Sequence, residues 1–321
     1  SAAWRRPRGR RKVGPRELLD LQKVMRTDIV AAPGEEVPTD NAGARRTHRA
    51  VSRAGEWLKE MLEAKATEPG LEFDWSVLAC IQGGGDAKLR QKACTSAAAM
   101  PVAGFWVGGL GYKEDLPSRA KVLEVVAASL PEGQPRFLPL NVGTPIEILQ
   151  AVLLGFDVFE VTYPTQAAGQ GIALTFSLEM PEDYVPVDSE VAALLPPAEE
   201  GDVPPTPPRA VRQLNCKSEE MREDFGPISA DSPVRQYSRA YLRHLLEVRE
   251  LLGTMLLATH NLDAYERFCA ALRAHIRKGT IRHFASWFLA TQTCEPPVVA
   301  AAAAATAPAH KQKRQKTDAA P

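Results

Sequence analysis

The chain alternates short apolar runs with stretches of helical periodicity, and this alternation limits the fold more than any other feature of the sequence. The apolar runs fall at residues 28–32, 76–81, 103–107, 136–140 and 158–161. The helical stretches fall at residues 15–26, 44–63, 86–99, 115–129 and 145–154. Strands that are apolar along their whole length predict a parallel α/β sheet buried on both faces.

Two architectures share this local pattern, a (β/α)₈ TIM-type barrel and a doubly wound sheet. Glycine and polar residues recur just after successive predicted strands, as in Gln82-Gly83-Gly84 and Gly108-Gly109. Functional residues of a barrel lie at this end of its strands, so the recurrence fits a barrel. Periodicity alone does not separate the two architectures.

Composition divides the chain into five parts. Residues 1–13 are basic without any acid, which predicts a disordered terminus or the edge of a fragment, since the chain does not begin with Met. Barrel elements are expected in residues 14–180 and 214–292. Between them, residues 181–213 are rich in proline and acids and predict a disordered insert. Residues 293–321 predict a disordered tail of alanine and lysine.

Charge and cysteine usage exclude several classes of protein. Thirty-nine basic residues balance 39 acidic ones, which argues against a uniformly basic nucleic-acid coat. The five cysteines form no CxxC pair, which indicates free thiols in a reducing compartment rather than a disulfide framework or a zinc ribbon. The apolar runs are too short for a transmembrane helix.

Four residues at the predicted strand ends are candidates for substrate binding. Gln82 and Gly83 follow one strand, and Gly108 and Gly109 follow the next. Glycine lets a ligand approach the backbone, and a glutamine amide can pair with the edge of a planar base. Tight turns that use glycine for steric reasons are the alternative. Neither motif has the spacing of a phosphate-binding P-loop or a dinucleotide fingerprint.

Two carboxylates and one histidine are further candidates. Asp157 lies at the start of a predicted strand, where a cap or an edge hydrogen bond explains it. Glu160 lies among apolar neighbours, where it is either half of a structural ion pair or a nucleophile or general acid/base. His260 follows a helix predicted over 236–258 and is a cap, a core residue or a metal ligand.

Taken in order, the motifs resemble the queuine/archaeosine tRNA-guanine transglycosylase family, and most closely its eukaryotic accessory, non-catalytic branch. The resemblance covers about 14–180 and 214–292. It rests on Cys80-Ile81-Gln82-Gly83-Gly84, Trp106-Val107-Gly108-Gly109-Leu110, Val142-Gly143-Thr144-Pro145, Gly155-Phe156-Asp157-Val158-Phe159-Glu160, Tyr237-Ser238-Arg239-Ala240-Tyr241-Leu242 and Thr259-His260-Asn261-Leu262.

The resemblance implies a barrel that exchanges guanine at the tRNA wobble position for queuine or a precursor, through an aspartate that attacks the ribose. Glu160 stands at the position of that nucleophile, and a second acid/base aspartate would lie upstream of Ser1. Gly34 stands where the family has an aspartate that reads the base, although Glu35 is adjacent. Gln166 and Gly169 replace two arginines that contact phosphate.

The family also carries a zinc segment, which is degenerate in this chain. Ser229, Asp231 and Val234 stand at the positions of the three cysteine ligands, and only His260 matches the fourth ligand. One imidazole does not hold a structural zinc ion, so we predict that no zinc binds, in contrast to accessory subunits that keep the cysteines.

These departures predict an accessory subunit that forms a heterodimer with a catalytic queuine tRNA-ribosyltransferase subunit and meets tRNA through the complex. The resemblance implies a cytoplasmic protein that is peripheral to the mitochondrial outer membrane, and a barrel whose N-terminal strands are missing. Two alternatives stay open. One is an active transglycosylase that uses Glu160, and the other is an orphan barrel that binds a nucleobase.

Overall fold

A computed structural model describes residues 2–6, 9–39, 43–112, 114–196 and 209–294 of the chain, and for residues 2–6 and 9–12 it describes the backbone alone. The predicted tail, residues 293–321, therefore lies outside the described residues apart from its first two positions.

The segment before the first helix differs from the predicted disorder. Strands β1 (Ala2–Arg6) and β2 (Gly9–Val13) pair antiparallel. Backbone pairing satisfies N–H and C=O groups whatever the side chains are, so the basic composition did not predict it.

Five parallel strands form the centre of the fold, and each is followed by a helix. The strands are β3 (Ile29–Ala31), β4 (Ser76–Ile81), β5 (Gly104–Val107), β6 (Arg136–Pro139) and β7 (Val158–Glu160). Their order in the sheet is the order in the chain. A doubly wound sheet reverses its strand order at a switch point, whereas a barrel adds each strand beside the last. The sheet is therefore a half-barrel of the TIM type.

The helices around this sheet begin and end close to the predicted residues. They are α1 (Pro15–Met25), α2 (Ala44–Thr67), α3 (Ala87–Ala98), α4 (Leu116–Ser129) and α5 (Pro145–Leu153). Side chains at their N-termini explain the agreement. Asp86 accepts from the Leu89 amide and Asp115 from the Ser118 amide, and Thr144 and Glu147 cap each other's backbone N–H.

The central strands β4 and β5 of the sheet are largely buried, whereas the two edge strands are partly exposed. Val77, Ala79 and Ile81 of β4 belong to the main core, which the helices complete. On the edge strands, Ile29 is 53% exposed and Val158 is 41% exposed. The prediction that both faces of every strand are buried is therefore wrong for these edges, because an edge strand has a neighbour on one side alone.

The chain continues through a second group of elements. They are α6 (Tyr163–Gln170), β8 (Ile172–Leu174), α7 (Asp188–Ala192), β9 (Ala210–Val211), β10 (Gln213–Asn215), α8 (Arg239–Glu247), α9 (Leu251–Arg277), α10 (Ile281–Thr291) and β11 (Thr293–Cys294). β8 pairs antiparallel with β10, and β9 pairs antiparallel with β11. In the described ranges, no helix combines the length and the apolar character that crossing a membrane requires.

The segment 181–213, predicted as a disordered insert, contains ordered elements where the structure describes it. Val191 of α7 and Leu194 are buried in the main core. The Val187 amide donates to Ser286 Oγ of α10 at 2.7 Å. Apolar residues between the prolines thus anchor the segment, which the acid and proline content concealed. Residues 197–208 lie outside the described residues.

The helix predicted over 236–258 is two helices, α8 and α9. Arg249, between them, has a left-handed backbone with φ of +60°. This conformation lets the Glu250 amide donate to the Leu245 carbonyl at 2.8 Å, which closes α8. The sequence also predicts an apolar face of Tyr237, Tyr241, Leu245, Val248, Leu252 and Met255. That face is wrong in large part, because Leu245 is buried whereas Tyr241, Val248, Leu252 and Met255 are exposed.

Candidate functional site

The four predicted binding residues lie together at the carboxyl ends of β4 and β5, and Arg90 of α3 joins them. Arg90 is fully buried, and its Nη1 donates to the carbonyls of Ile81 at 3.0 Å and Gly108 at 2.9 Å. Its Nε donates to the Gly84 carbonyl at 2.9 Å. One guanidinium therefore fixes the turns that follow both strands.

Close packing explains two of the glycines in these turns. A Cβ atom at Gly83, where φ is +154°, would lie 2.9 Å from Arg90 Cδ. A Cβ atom at Gly109, where φ is +81°, would lie 2.5 Å from the Val37 carbonyl oxygen. Both positions require glycine for their backbone conformation and for the close approach. The steric reading of these turns and a binding role are compatible.

Glu36, from the segment after β3, enters the same cluster. Its Oε1 accepts from Gln82 Nε2 at 3.1 Å, and its Oε2 accepts from the Gly109 amide. Gln82 is buried, and its own Oε1 has no hydrogen-bond partner among the residues described. The cluster thus places two protein donors against a single carboxylate.

Burial shifts the pKa values of the ionisable groups in this cluster. Desolvation raises the pKa of Glu36 by more than its hydrogen bonds and the Arg90 charge lower it. Burial lowers the pKa of Arg90 to about 10, and burial together with the Glu36 charge raises the pKa of Cys80 to about 12. Arg90 is therefore cationic at neutral pH, and the Cys80 thiol is protonated.

Gly34 and Glu35 do not supply a carboxylate to the cluster. A Cβ atom at Gly34 would lie 2.5 Å from Cys80 Sγ, so a side chain there has no room. Glu35 turns towards α2, where Arg46 Nε and Arg53 Nη1 each donate to its carboxylate at 3.0 Å. The carboxylate that reaches the glycine turns is that of Glu36, one residue further along.

Glu160 is exposed, which the sequence prediction of a buried carboxylate did not anticipate. It ends β7, the edge strand, opposite Pro139 of β6. Because β7 is two strands from β5, Glu160 lies roughly 10 Å along the sheet from the Gly108 turn, at the same carboxyl edge. Asp157 fulfils the structural alternative, since its Oδ2 accepts from the Arg136 amide at 2.9 Å.

The two positions that replace family arginines lie on α6, directly after Glu160. Gln166 and Gly169 are both exposed. Gln166 Nε2 donates to Thr162 Oγ1 at 2.6 Å, so this side chain is engaged by the residue just before its own helix. Neither position offers a cation for a phosphate.

His260 is a buried residue in the middle of α9, not a residue that follows a helix. Its Nε2 donates to the Leu174 carbonyl at 2.9 Å, which leaves Nδ1 to accept from Ser232 Oγ at 2.9 Å. Burial lowers the pKa of His260, so the ring is neutral at neutral pH. Both ring nitrogens are engaged with the protein.

The three positions that match zinc cysteines do not form a metal site. Val234 is buried in an apolar cluster with Ile228 and Leu242. Asp231 is exposed and lies 3.9 Å from Arg267 Nη1, and Ser229 is partly buried. In the part of the chain that the structure describes, no three His, Cys, Asp or Glu side chains converge as metal ligands. The residues present do not fit zinc.

Sequence reasoning missed Glu36 and Arg90. A signal for Glu36 is its place after β3, at the carboxyl edge where Gln82 and Gly108 also lie. Arg90 follows the glycine turn in the first turns of a helix, where a cation is unfavourable unless it has partners. Spacing alone does not show that its side chain turns back towards that glycine turn.

Comparison with known proteins decides the family. A family model described as queuine tRNA-ribosyltransferase matches residues 2–293. The chain belongs to the queuine tRNA-ribosyltransferase family. The matched region includes the half-barrel, the Gln82–Gly109 cluster and Glu160. The resemblance seen in the motifs is therefore confirmed at the level of the family.

Relatives within the family carry two kinds of name. The queuine tRNA-ribosyltransferase of Brucella suis biovar 1 (strain 1330) is 30% identical over 84% of this chain and 62% of its own length. The queuine tRNA-ribosyltransferase accessory subunit 2 of Xenopus laevis is 30% identical over 86% of this chain and 69% of its own length. The Xenopus tropicalis accessory subunit 2 is similar to the same extent. The chain thus spans less than two thirds of the length of the bacterial relative.

Proposed function

We propose that the chain is a non-catalytic accessory subunit of a heterodimeric tRNA-guanine transglycosylase. It supports the exchange of guanine for queuine at the wobble position of tRNA, and its partner is the catalytic queuine tRNA-ribosyltransferase subunit. The similarity to accessory subunit 2 of two Xenopus species supports this proposal. The tRNA reaches this chain through the complex.

Gly34 carries the proposal. The family has a base-reading carboxylate at this position, and here glycine supplies none. A Cβ atom there would lie 2.5 Å from Cys80 Sγ, so a larger residue would require Cys80 to move. The nucleophile position is altered as well, because Glu160 is longer than aspartate by one methylene group. A misplacement of roughly 1 Å in a nucleophile costs about a hundredfold in rate. The half-barrel thus keeps its strands and helices, whereas the residues at the base-reading position and at the nucleophile position are changed.

An active transglycosylase is the second candidate, and two observations favour it. Glu160 retains a carboxylate, which is exposed at the carboxyl edge of the sheet where a substrate can reach it. The similarity to the Brucella suis biovar 1 (strain 1330) protein, named queuine tRNA-ribosyltransferase, is of the same extent as that to the accessory subunits. If this candidate is correct, a covalent adduct with tRNA can be trapped on the purified chain.

The decisive experiment is guanine exchange by the assembled heterodimer. The chain is co-expressed with a catalytic subunit, and incorporation of radiolabelled guanine into tRNA is measured for wild type and E160A. We expect E160A to leave the rate unchanged, whereas replacing the nucleophilic aspartate of the catalytic subunit abolishes exchange. A loss of roughly 10⁴-fold in E160A, as expected for a removed nucleophile, would overturn the proposal.

We also propose that the chain folds without zinc. The segment that carries zinc in the family is held here by an apolar cluster that includes Val234, and by the bonds of His260 to Ser232 and Leu174. Apolar packing and a satisfied imidazole replace the stabilisation that a metal would supply.

The proposed compartment is the cytoplasm. All five cysteines are free thiols, among them Cys80, Cys94 and Cys216, which are buried. Unpaired thiols are typical of proteins that work in a reducing compartment.

A further inference from the structure

Glu36 lies where a ligand carbonyl would bind. Its carboxylate takes the hydrogen bonds of Gln82 Nε2 and of the Gly109 amide. We propose that Glu36 is a built-in stopper, whose carboxylate occupies the acceptor position of the nucleobase pocket and excludes a free base from it. This inference rests on the proposed role of Gln82, Gly83, Gly108 and Gly109 as a base-binding pocket.

The two donors are suited to a planar base. Gln82 is fully buried, and its Oε1 has no partner among the described residues, so its amide keeps one unused acceptor beside the donor that Glu36 takes. Each oxygen of the Glu36 carboxylate accepts one of these bonds, and the single carbonyl oxygen of a purine-type base has two lone pairs with which to accept both. An adjacent N–H of the same base would meet Gln82 Oε1. The carboxylate therefore imitates the carbonyl part of such a ligand.

The backbone on either side holds Glu36 in this position. Glu35 is tied to α2 by Arg46 and Arg53, and Val37 is fully buried. With these neighbours fixed on opposite sides, the Glu36 side chain is directed towards the Gly109 turn. Its two carboxyl oxygens each accept a hydrogen bond from the turns, which holds the side chain against them. The contact of the Glu36 carboxyl with the Gly109 turn is thus set by the fold of residues 35–37.

Burial of the Glu36 carboxyl is offset in part by its hydrogen bonds and by a neighbouring cation. Arg90 is close enough for its charge to stabilise the Glu36 carboxylate, although desolvation still raises the pKa of that carboxylate. Removal of the carboxylate would leave the Gly109 amide without this acceptor and Gln82 Nε2 with only its weak contact to Cys80 Sγ at 3.4 Å. A base that supplies an acceptor would then bind to satisfy both donors.

The test is equilibrium dialysis of radiolabelled guanine against the full 321-residue chain. The variants are E36A, which removes the carboxylate, and E36Q, which keeps the volume of the side chain but satisfies one of the two donors. E35A is the matched control, because it removes an adjacent carboxylate that points away from the pocket. Circular dichroism establishes that each variant is folded, and E36Q serves if E36A does not fold.

We expect E36A to bind guanine roughly 10- to 100-fold more tightly than the wild type, because a pocket that is open for a small fraction of the time has its affinity reduced by that fraction. E36Q is expected to bind with intermediate affinity, and E35A with that of the wild type. Hydrogen exchange gives a second measurement. The Gly109 amide should exchange faster in E36A, and guanine should restore its protection.

Equal guanine affinity in wild type and E36A would overturn the stopper. Weaker binding by E36A would overturn it as well, and would instead make Glu36 a direct contact of the base. The absence of guanine binding in every folded variant also overturns it. None of these results changes the outcome for the accessory role, which is decided separately by E160A in the heterodimer.

Discussion

Two adjacent glutamates respond to their surroundings in opposite ways. Burial raises the pKa of Glu36. Burial also acts to raise the pKa of Glu35, but the hydrogen bond and charge of Arg46 and the charge of Arg53 outweigh it and lower that pKa. The difference arises from the direction of each side chain, since Glu35 faces the cations of α2 and Glu36 faces the glycine turns.

This contrast predicts a specific dependence of stability on pH. A carboxyl whose pKa is raised binds its proton more tightly in the folded chain. The contribution of Glu36 to the free energy of unfolding therefore falls as pH rises. The fall begins near 4.5, the ordinary pKa of the carboxyl, and ends near the raised pKa of the folded chain. The slope is at most about 1.4 kcal/mol per pH unit. Urea unfolding over this range should show a wild-type slope that E36Q lacks.

E35Q is the control for this measurement, and the sign for Glu35 is opposite. Its pKa is lowered, so its contribution to stability is present above pH 4.5 and is lost as pH falls through the lowered value. E35Q should therefore retain the wild-type slope above pH 4.5. If E36Q also retains that slope, the raised pKa of Glu36 is refuted.

At the residue scale the sequence predicted the turns after β4 and β5 but not the side chains that meet them. The glycine motifs predicted these turns because Gly83 and Gly109 have positive φ and a close approach that other residues do not tolerate. The directions of Glu36 and Arg90 depend on contacts between segments 46 and 18 residues apart, which local patterns do not encode. Glu160 was expected to be buried, since its apolar neighbours concealed its place on an edge strand.

At the scale of elements, five apolar side chains are exposed near the turn between α8 and α9, more than at any other turn among the described residues. They are Tyr241, Val248, Leu251, Leu252 and Met255. The Tyr237 and Tyr241 rings stack with centroids 5.7 Å apart at the same helix. Contiguous apolar side chains on a protein surface mark sites of protein association. We therefore predict that the proposed catalytic partner binds to this region.

The substitution M255D tests this assignment. Met255 is 56% exposed, so the charge leaves the fold intact but would be buried in the heterodimer. We expect the affinity for the catalytic subunit to fall at least about tenfold, measured by surface plasmon resonance. M25D on α1 is the matched control, since Met25 is 66% exposed, and it should bind as the wild type does. If M25D weakens binding and M255D does not, the interface lies at α1 instead.

Helix ends that are marked by a capping residue in the sequence are predicted well, and a helix end without such a residue is not. The starts of α3, α4 and α5 were predictable because Asp86, Asp115 and Thr144 cap them through neighbours in sequence. The end of α8 was missed because Arg249 takes a left-handed conformation that glycine or asparagine normally signals. The bond from the Glu250 amide to the Leu245 carbonyl accompanies that conformation, and the residue type at 249 does not signal it.

At the scale of the whole molecule, strand order settled what periodicity had left open. The order β3-β4-β5-β6-β7 excludes the doubly wound alternative. The region after the half-barrel is stabilised by a separate apolar cluster, which includes Cys216, Val234 and Leu257. Apolar packing in that cluster stabilises the segment in which other residues stand at the positions of the zinc ligands.

Metal removal tests the stability of the whole chain without zinc. We expect mass spectrometry to find substoichiometric zinc in the purified chain, and EDTA to leave its thermal midpoint unchanged. A structural zinc ion contributes about 10–16 kcal/mol in small zinc domains, so its loss would be visible at once. Stoichiometric zinc, or a lower midpoint in EDTA, would contradict the proposal.

The guanidinium of Arg90 bridges three carbonyl groups from the turns after β4 and β5. These two turns are consequently ordered when the chain folds, before any ligand binds. A molecule that displaces the Glu36 carboxylate would meet a preformed receptor, and little further ordering of the backbone would count against its affinity.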